Sequence, residues 1–129
     1  MPEGKIRIFV VDASEVWRKI LAGYISLDED MEVAGEINSG QGAILMLEET
    51  DPDIVMLEVN VNDRLHVTEV ISNLHGIKPG VRIILCVDAA RKNEILSAVD
   101  LGVYDFVIKP YKKQSVIRVI RECMTHPVV

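Results

Sequence analysis

The sequence predicts an α/β fold, a doubly wound (βα)5 domain built on a five-stranded parallel sheet. Three observations carry that reading. Five short apolar runs recur at similar intervals, four of them rich in Val and Ile. Segments with helical period lie between them. Three of the runs are continuous rather than alternating, the mark of strands buried on both faces.

The first run, "IRIFVV" from Ile6, leads to Asp12. Ser14 is a candidate N-cap, and Val16, Ile20 and Tyr24 form the apolar stripe of the helix it opens. "MEVAGEI" from Met31 alternates better and is placed at a sheet edge. Ser39 precedes a short helix from Ala43 to Leu47, with Gly40 and Gly42 as turn residues at its start. "DIVML" from Asp53 stops at Glu58. Val67, Val70, Ile71 and Leu74 keep helical spacing in the third helix, and Gly76 reads as its C′ residue. "VRIILCV" from Val81 ends at Val87 and Asp88. Ile95, Ala98 and Val99 line a fourth helix closed by Gly102. "YDFVI" from Tyr104 runs into Lys109 and Pro110. A fifth helix buries Val116, Ile120, Cys123 and Met124, and its polar face carries Lys113, Arg118 and Arg121. Such strand–helix–strand units cross over right-handedly and place helices on both faces of the sheet.

The chain has 129 residues, 49% of them hydrophobic, enough for one core. A single domain is expected over 1–129, with its core over 6–124 and 125–129 as a tail or the start of a linker. The net charge of −6, with acids and bases mixed, argues against direct nucleic-acid binding. Cys86 and Cys123 stand apart in apolar surroundings and read as buried reduced thiols. The start of the chain lacks the apolar region of a secretory signal, and no run approaches the ~20 residues that span a bilayer. A cytoplasmic protein without a membrane partner is expected. His66, His75 and His126 show no ligand spacing and are expected to face solvent. Trp17 reads as a packing residue beside the first helix's stripe. No phosphate-binding glycine loop occurs.

In open α/β sheets, sites form outside the carboxyl ends of the strands. Asp12, Glu58, the Val87-Asp88 pair and the Lys109-Pro110 pair stand there. Two carboxylates and an ammonium thus converge from three strands. Burying them together costs free energy unless they satisfy one another, so the convergence says more than any one residue.

From about Ile6 to Met124 the chain resembles the receiver domain of two-component response regulators. The resemblance rests on "IFVVDAS", "DIVMLEV" and "LGVYDFVIKPY", and the last is the most specific, with Gly102, Phe106 and the Lys109-Pro110 pair. It implies a flavodoxin-like fold with strand order 2-1-3-4-5. In that family a sensor histidine kinase or a small phosphodonor passes a phosphoryl group to an aspartate ending the third strand. Mg2+ is held by that aspartate, by the second of two acids after the first strand and by the carbonyl two residues past the acceptor. A threonine or serine ending the fourth strand and a lysine ending the fifth bind the phosphoryl oxygens. An aromatic residue of the fifth strand then turns inward, changing the face made by helix four, strand five and helix five.

Here the pattern is damaged. Asp12 matches the first acid, but Ala13 replaces the second and Glu58 the acceptor. Val87 stands for the threonine and Asp88 for the small residue after it. Asn62 replaces a proline, and Leu65-His66 replaces an Asp-Gly pair. Lys109, Phe106 and Pro110 match. Ala13 offers no oxygen to a hard octahedral cation. Glu58 is longer than aspartate by a methylene, and phosphoryl transfer depends on positioning. Val87 cannot donate a hydrogen bond, and Asp88 sets a negative charge where an anionic donor would enter.

The expectation is an atypical receiver, a pseudo-receiver, that takes no phosphoryl group and works as a protein-interaction module in two-component signalling. The alternative is a phosphorylatable receiver served by a histidine kinase. A third reading is a small-molecule sensor using the space near Ala13 and Val87. Glu58 either mimics a phosphorylated acid or only balances Lys109. No catalytic residue and no cofactor are expected; Mg2+ would bind weakly at most, through Asp12, Glu58 and Asn60. By the resemblance, the bond before Pro110 is a candidate cis bond. Phe106 is expected to stay fixed without its trigger hydroxyl. The implied partners are a histidine kinase, an output domain, or a second copy through helix four, strand five and helix five.

Overall fold

The computed structural model describes residues 4–59, 66–91 and 102–125. The expectations for Asn60, Asn62, Leu65, the helix through Ile95, Ala98 and Val99, and His126 fall outside these residues. In chain order the elements are β1 (Ile6–Val11), α1 (Glu15–Ser26), β2 (Met31–Ile37), α2 (Gly40–Thr50), β3 (Ile54–Glu58), α3 (Val67–Ile77), β4 (Arg82–Asp88), β5 (Asp105–Lys109) and α4 (Lys113–Thr125). The last corresponds to the fifth helix of the sequence pattern. The strands form one parallel sheet in the order β2-β1-β3-β4-β5, with the alternating strand at an edge as its pattern indicates.

Strand alternation divides the core in two. Phe9, Val11, Val55, Leu57, Ile83 and Leu85 face one side and pack against Ala43 and Leu47 of α2 and Ile71 and Leu74 of α3. Ile8, Val10, Ile54, Met56, Ile84 and Cys86 face the other and pack against Leu21 and Ile25 of α1 and Val116, Ile120 and Cys123 of α4. Each buried Val, Leu, Ile, Phe or Met side chain among them contributes roughly 1.5–3 kcal/mol by leaving water. Both cysteines are free and buried.

Local chemistry sets the helix starts. Ser14 caps α1, its Oγ accepting from Trp17 N at 3.3 Å, and Ser39 caps α2 through Gly42 N at 3.0 Å. The phase of α1 departs from expectation: Val16 faces solvent, and Leu21 and Ile25 are its buried residues. The inward stripe runs through Trp17, Ile20, Leu21, Tyr24 and Ile25, one position on from Val16. Gly40 and Gly42 belong to the first turn of α2 rather than to a preceding turn. A Cβ on Gly42 would lie 2.7 Å from Ile37 Cγ1, so glycine there permits the close approach of α2 to the end of β2. Gly76 lies inside α3, which continues to Ile77 and is followed by Lys78 with its amide on Leu74 O, so it is not a C′ residue. Gly102, at φ +87°, is in the left-handed region where glycine is unstrained.

Among the described residues no helix is long and apolar enough to cross a membrane.

Candidate functional site

The register aligns the carboxyl ends of β1, β3, β4 and β5: Val11 pairs with Leu57, Glu58 with Cys86 and Asp88 with Lys109. Asp12, Glu58 and Lys109 continue the alternation of Val10, Met56 and Val107, so all three lie on the α1/α4 side of the sheet. Lys109 Nζ sits 2.9 Å from Asp12 Oδ2 and 2.8 Å from Glu58 Oε2. The side chains of Lys109 and Asp12 are 3% and 1% exposed, that of Glu58 17%.

The backbone after β1 completes the arrangement. Ala13 N–H donates to Glu58 Oε1 at 3.0 Å, and Ser14 N–H donates to Asp12 Oδ1 at 2.8 Å. The latter is an Asx turn, in which the side chain reaches the amide two residues on. Arg18, one turn into α1, donates to the Asp12 carbonyl at 2.7 Å. Lys109 hydrogen-bonds Glu58, while its contact with Asp12 Oδ2 is one of charge: that buried oxygen has no aligned hydrogen bond among the described residues.

An aromatic wall stands behind the lysine. The Trp17 ring lies 5.3 Å from Lys109 Nζ and meets Tyr111 edge-on, with centroids 5.3 Å apart and planes at 83°. A cation over an indole face is attracted by the ring's quadrupole.

Burial and charge oppose each other here. For Glu58, burial pushes the carboxyl above its ordinary range and outweighs the hydrogen bonds from Lys109 and Ala13 N–H. For Lys109, burial works to lower the value, but the Glu58 hydrogen bond and the adjoining Asp12 carboxylate prevail and raise it. Burial pushes the Cys86 thiol up to about 12, which leaves it protonated and inert. Burial also raises the Tyr111 phenol, with Cys86 as its neighbour.

The structure gathers Asp12, Glu58, Lys109 and the Ala13 amide into one cluster. Val87 stays apart: its buried side chain packs with the α2/α3 core. Asp88 is exposed at the end of β4. Phe106 is half-buried against the same core as Val87, and the Lys109-Pro110 bond is cis. His75, expected to face solvent, is half-buried with Nε2 3.2 Å from Gly102 O. It sits where α3 passes the loop before β5. Arg18 and Tyr111 escaped the sequence reading, as did the contact of Trp17 with Lys109. The spacing of Trp17 and Arg18 from Ser14 was the available signal, since it puts both on the first turns above the strand ends.

The Mg2+ implied by the resemblance does not fit the described residues. The Glu58 oxygens are taken by Ala13 N–H and Lys109, and an ammonium stands between the two carboxylates where a cation would go. Ala13 brings no side-chain oxygen, and among the described residues no group of three or more His, Cys, Asp or Glu could hold a metal.

Parallel strands in this order, with an acid–lysine cluster at their carboxyl edge, define a flavodoxin-like α/β domain. The chain belongs to the response regulator receiver domain family, whose model matches residues 8–121. It is 31% identical over 121 residues to a chemotaxis protein CheY of Halobacterium salinarum, covering 92% of this chain and 97% of that one. A CheY of Thermotoga maritima is 27% identical over 116 residues, covering 90% of this chain and 95% of its own. Among solved structures, the response regulator domain of Thermotoga maritima CheB superposes with a TM-score of 0.84 at 24% identity, covering 95% of this chain and 98% of that domain.

Proposed function

We propose that this receiver domain signals without accepting a phosphoryl group, as a protein-interaction module whose partners are other signalling proteins. The observation that carries the reading is the position of Lys109, whose ammonium already bridges Asp12 at 2.9 Å and Glu58 at 2.8 Å. A lysine held this way has its charge satisfied inside the protein. The carboxylate at the acceptor position is fixed at both oxygens, by Lys109 and by the Ala13 amide. Phosphoryl transfer rests on positioning and on electrostatic stabilisation of the transferred group. Ala13 supplies no ligand oxygen, and Val87, buried on the far side of the sheet, supplies no hydroxyl. Glu58 in this reading is the charge partner of Lys109, and Mg2+ binds weakly.

Incubation with acetyl phosphate, phosphoramidate or a phosphorylated histidine kinase, followed by intact-mass measurement, tests the proposal. No phosphoryl adduct is expected, and beryllofluoride leaves the amide NMR spectrum unchanged. A stoichiometric adduct that disappears in Glu58→Ala or Asp12→Ala overturns it.

A further inference from the structure

We infer that the chain associates head to tail with a second copy of itself, α2 of one copy seating in the cleft between the end of α1 and α4 of the next. The cleft has a volume of about 510 Å3. Its apolar floor includes Leu27, 71% exposed at the end of α1, and the half-buried Ile117 of α4. On its rim, Lys113 and Arg118 form no ion pair with any other described residue. Arg121 is already held by Asp28 at 2.6 Å and by Asp30 at 3.2 Å, so its charge and that of Asp28 are satisfied within one copy. Glu122 is the acidic residue at the far end of the rim. An exposed leucine beside unpaired cations fits an apolar knob flanked by acids.

The same chain carries that knob. The outer face of α2 presents Gln41, Leu45, Glu48 and Glu49 at i, i+4, i+7 and i+8, all exposed. Leu45, at 79%, is the most exposed large hydrophobic residue among those described. Glu48 and Glu49 form no ion pair with another described residue. One helical face therefore offers a leucine with two unpaired acids, and the cleft offers a leucine and an isoleucine with two unpaired bases. Complementary rims of this kind fix register and partner choice.

The two surfaces lie on opposite sides of the sheet, since α2 packs in one core cluster and α1 and α4 in the other. The contact is heterologous and a joined pair keeps one free surface of each kind, so association propagates rather than stopping at two copies. Nothing in it involves Asp12, Glu58 or Lys109, so its failure would leave the proposed function standing.

Sedimentation equilibrium of the full chain, without phosphoryl donor or Mg2+, tests the inference. The average mass should climb above the monomer as concentration rises, and added salt should reverse the climb, because exposed charge pairs are screened. Leu45→Asp alone, and Lys113→Gln with Arg118→Gln, should each weaken association by about tenfold or more. All three residues are exposed, and circular dichroism verifies that each variant is folded. Mixing the two blocked proteins should yield a one-to-one dimer that grows no further, since only one intact pair of surfaces remains. A chain that stays monomeric at every concentration overturns the inference. So does association unchanged in either variant, or a mixture that grows past a dimer.

Discussion

The two edges of the sheet carry ionic clusters built from the same kinds of residues at nearly the same distances, yet they are different objects. At the carboxyl edge, Lys109 lies 2.8 Å from Glu58 and 2.9 Å from Asp12, almost wholly out of water. At the amino edge, Arg7 lies 2.7 Å from Glu32 and 2.7 Å from the Thr50 carbonyl, and Lys78 lies 2.8 Å from Asp51. Those groups are substantially solvated. Arg7 and Lys78 take up carbonyls where α2 ends and the chain enters β3, at Thr50, Asp51 and Pro52. Water screens that edge and can replace its bonds; at the other edge nothing replaces a missing partner. Burial rather than distance sets what each contact is worth.

The largest test of this contrast is Lys109→Met. It removes the cation that touches both carboxylates and should cost about 3–5 kcal/mol in urea unfolding, the usual loss when one partner of a buried ion pair is deleted. A cost below about 1 kcal/mol, the range of exposed pairs, would make the two edges equivalent. The same residue gives an alkaline signature. Its folded value is raised above 10.5, so its contribution is complete below pH 10.5 and is lost as pH climbs through the folded value. Thermal melts of the native protein and Lys109→Met should therefore converge above pH 10.5 and stay apart below it. Arg7→Ala should cost less, about 1 kcal/mol, because it deletes solvated bonds at the end of α2. Added salt should shrink that difference and leave the Lys109→Met difference nearly unchanged.

The sequence told these edges apart only in part. The strands themselves and the convergence of Asp12, Glu58 and Lys109 were legible, because hydrophobic runs and the positions of strand ends are one-dimensional properties; the strand order came from the resemblance to receiver domains. Side-chain direction was not. Val87 stands at a strand end like the others, but one step of parity sends it into the α2/α3 core. The phase of α1 misled for a similar reason: Val16, Ile20 and Tyr24 keep helical spacing, while Trp17 rather than Val16 packs against the sheet. The Arg7 network had no signal, since it joins residues up to 44 positions apart through backbone carbonyls, and any residue type provides a carbonyl. The length of Glu58 was visible. That its second oxygen meets the Ala13 amide depends on how the chain turns after β1.

The smallest expected effect has opposite signs at the two edges, which makes it the sharpest comparison. Asp51 is held below its ordinary value of 3.8, first by its hydrogen bond to Lys78, so the folded state prefers its carboxylate. Its contribution is present above pH 3.8 and is lost as pH falls through the lower folded value. Glu58 is raised above 4.5, first by burial, so the folded state holds its proton more tightly than the unfolded chain does. Its contribution therefore weakens as pH rises from 4.5 through the folded value. Asp51→Asn and Glu58→Gln remove each titration while keeping shape; asparagine also tolerates the left-handed backbone at φ +46°. The melting-temperature difference between the native protein and Asp51→Asn should shrink on acidification. The difference between the native protein and Glu58→Gln should move in favour of the native protein over its own acid window. Glu58→Gln should also stay within about 1 kcal/mol of the native protein at neutral pH, since Lys109 keeps Asp12 and an acceptor oxygen at position 58. If both differences moved the same way with pH, Glu58 would be an ordinary salt-bridged acid and the contrast between the edges would fail on the carboxyl side.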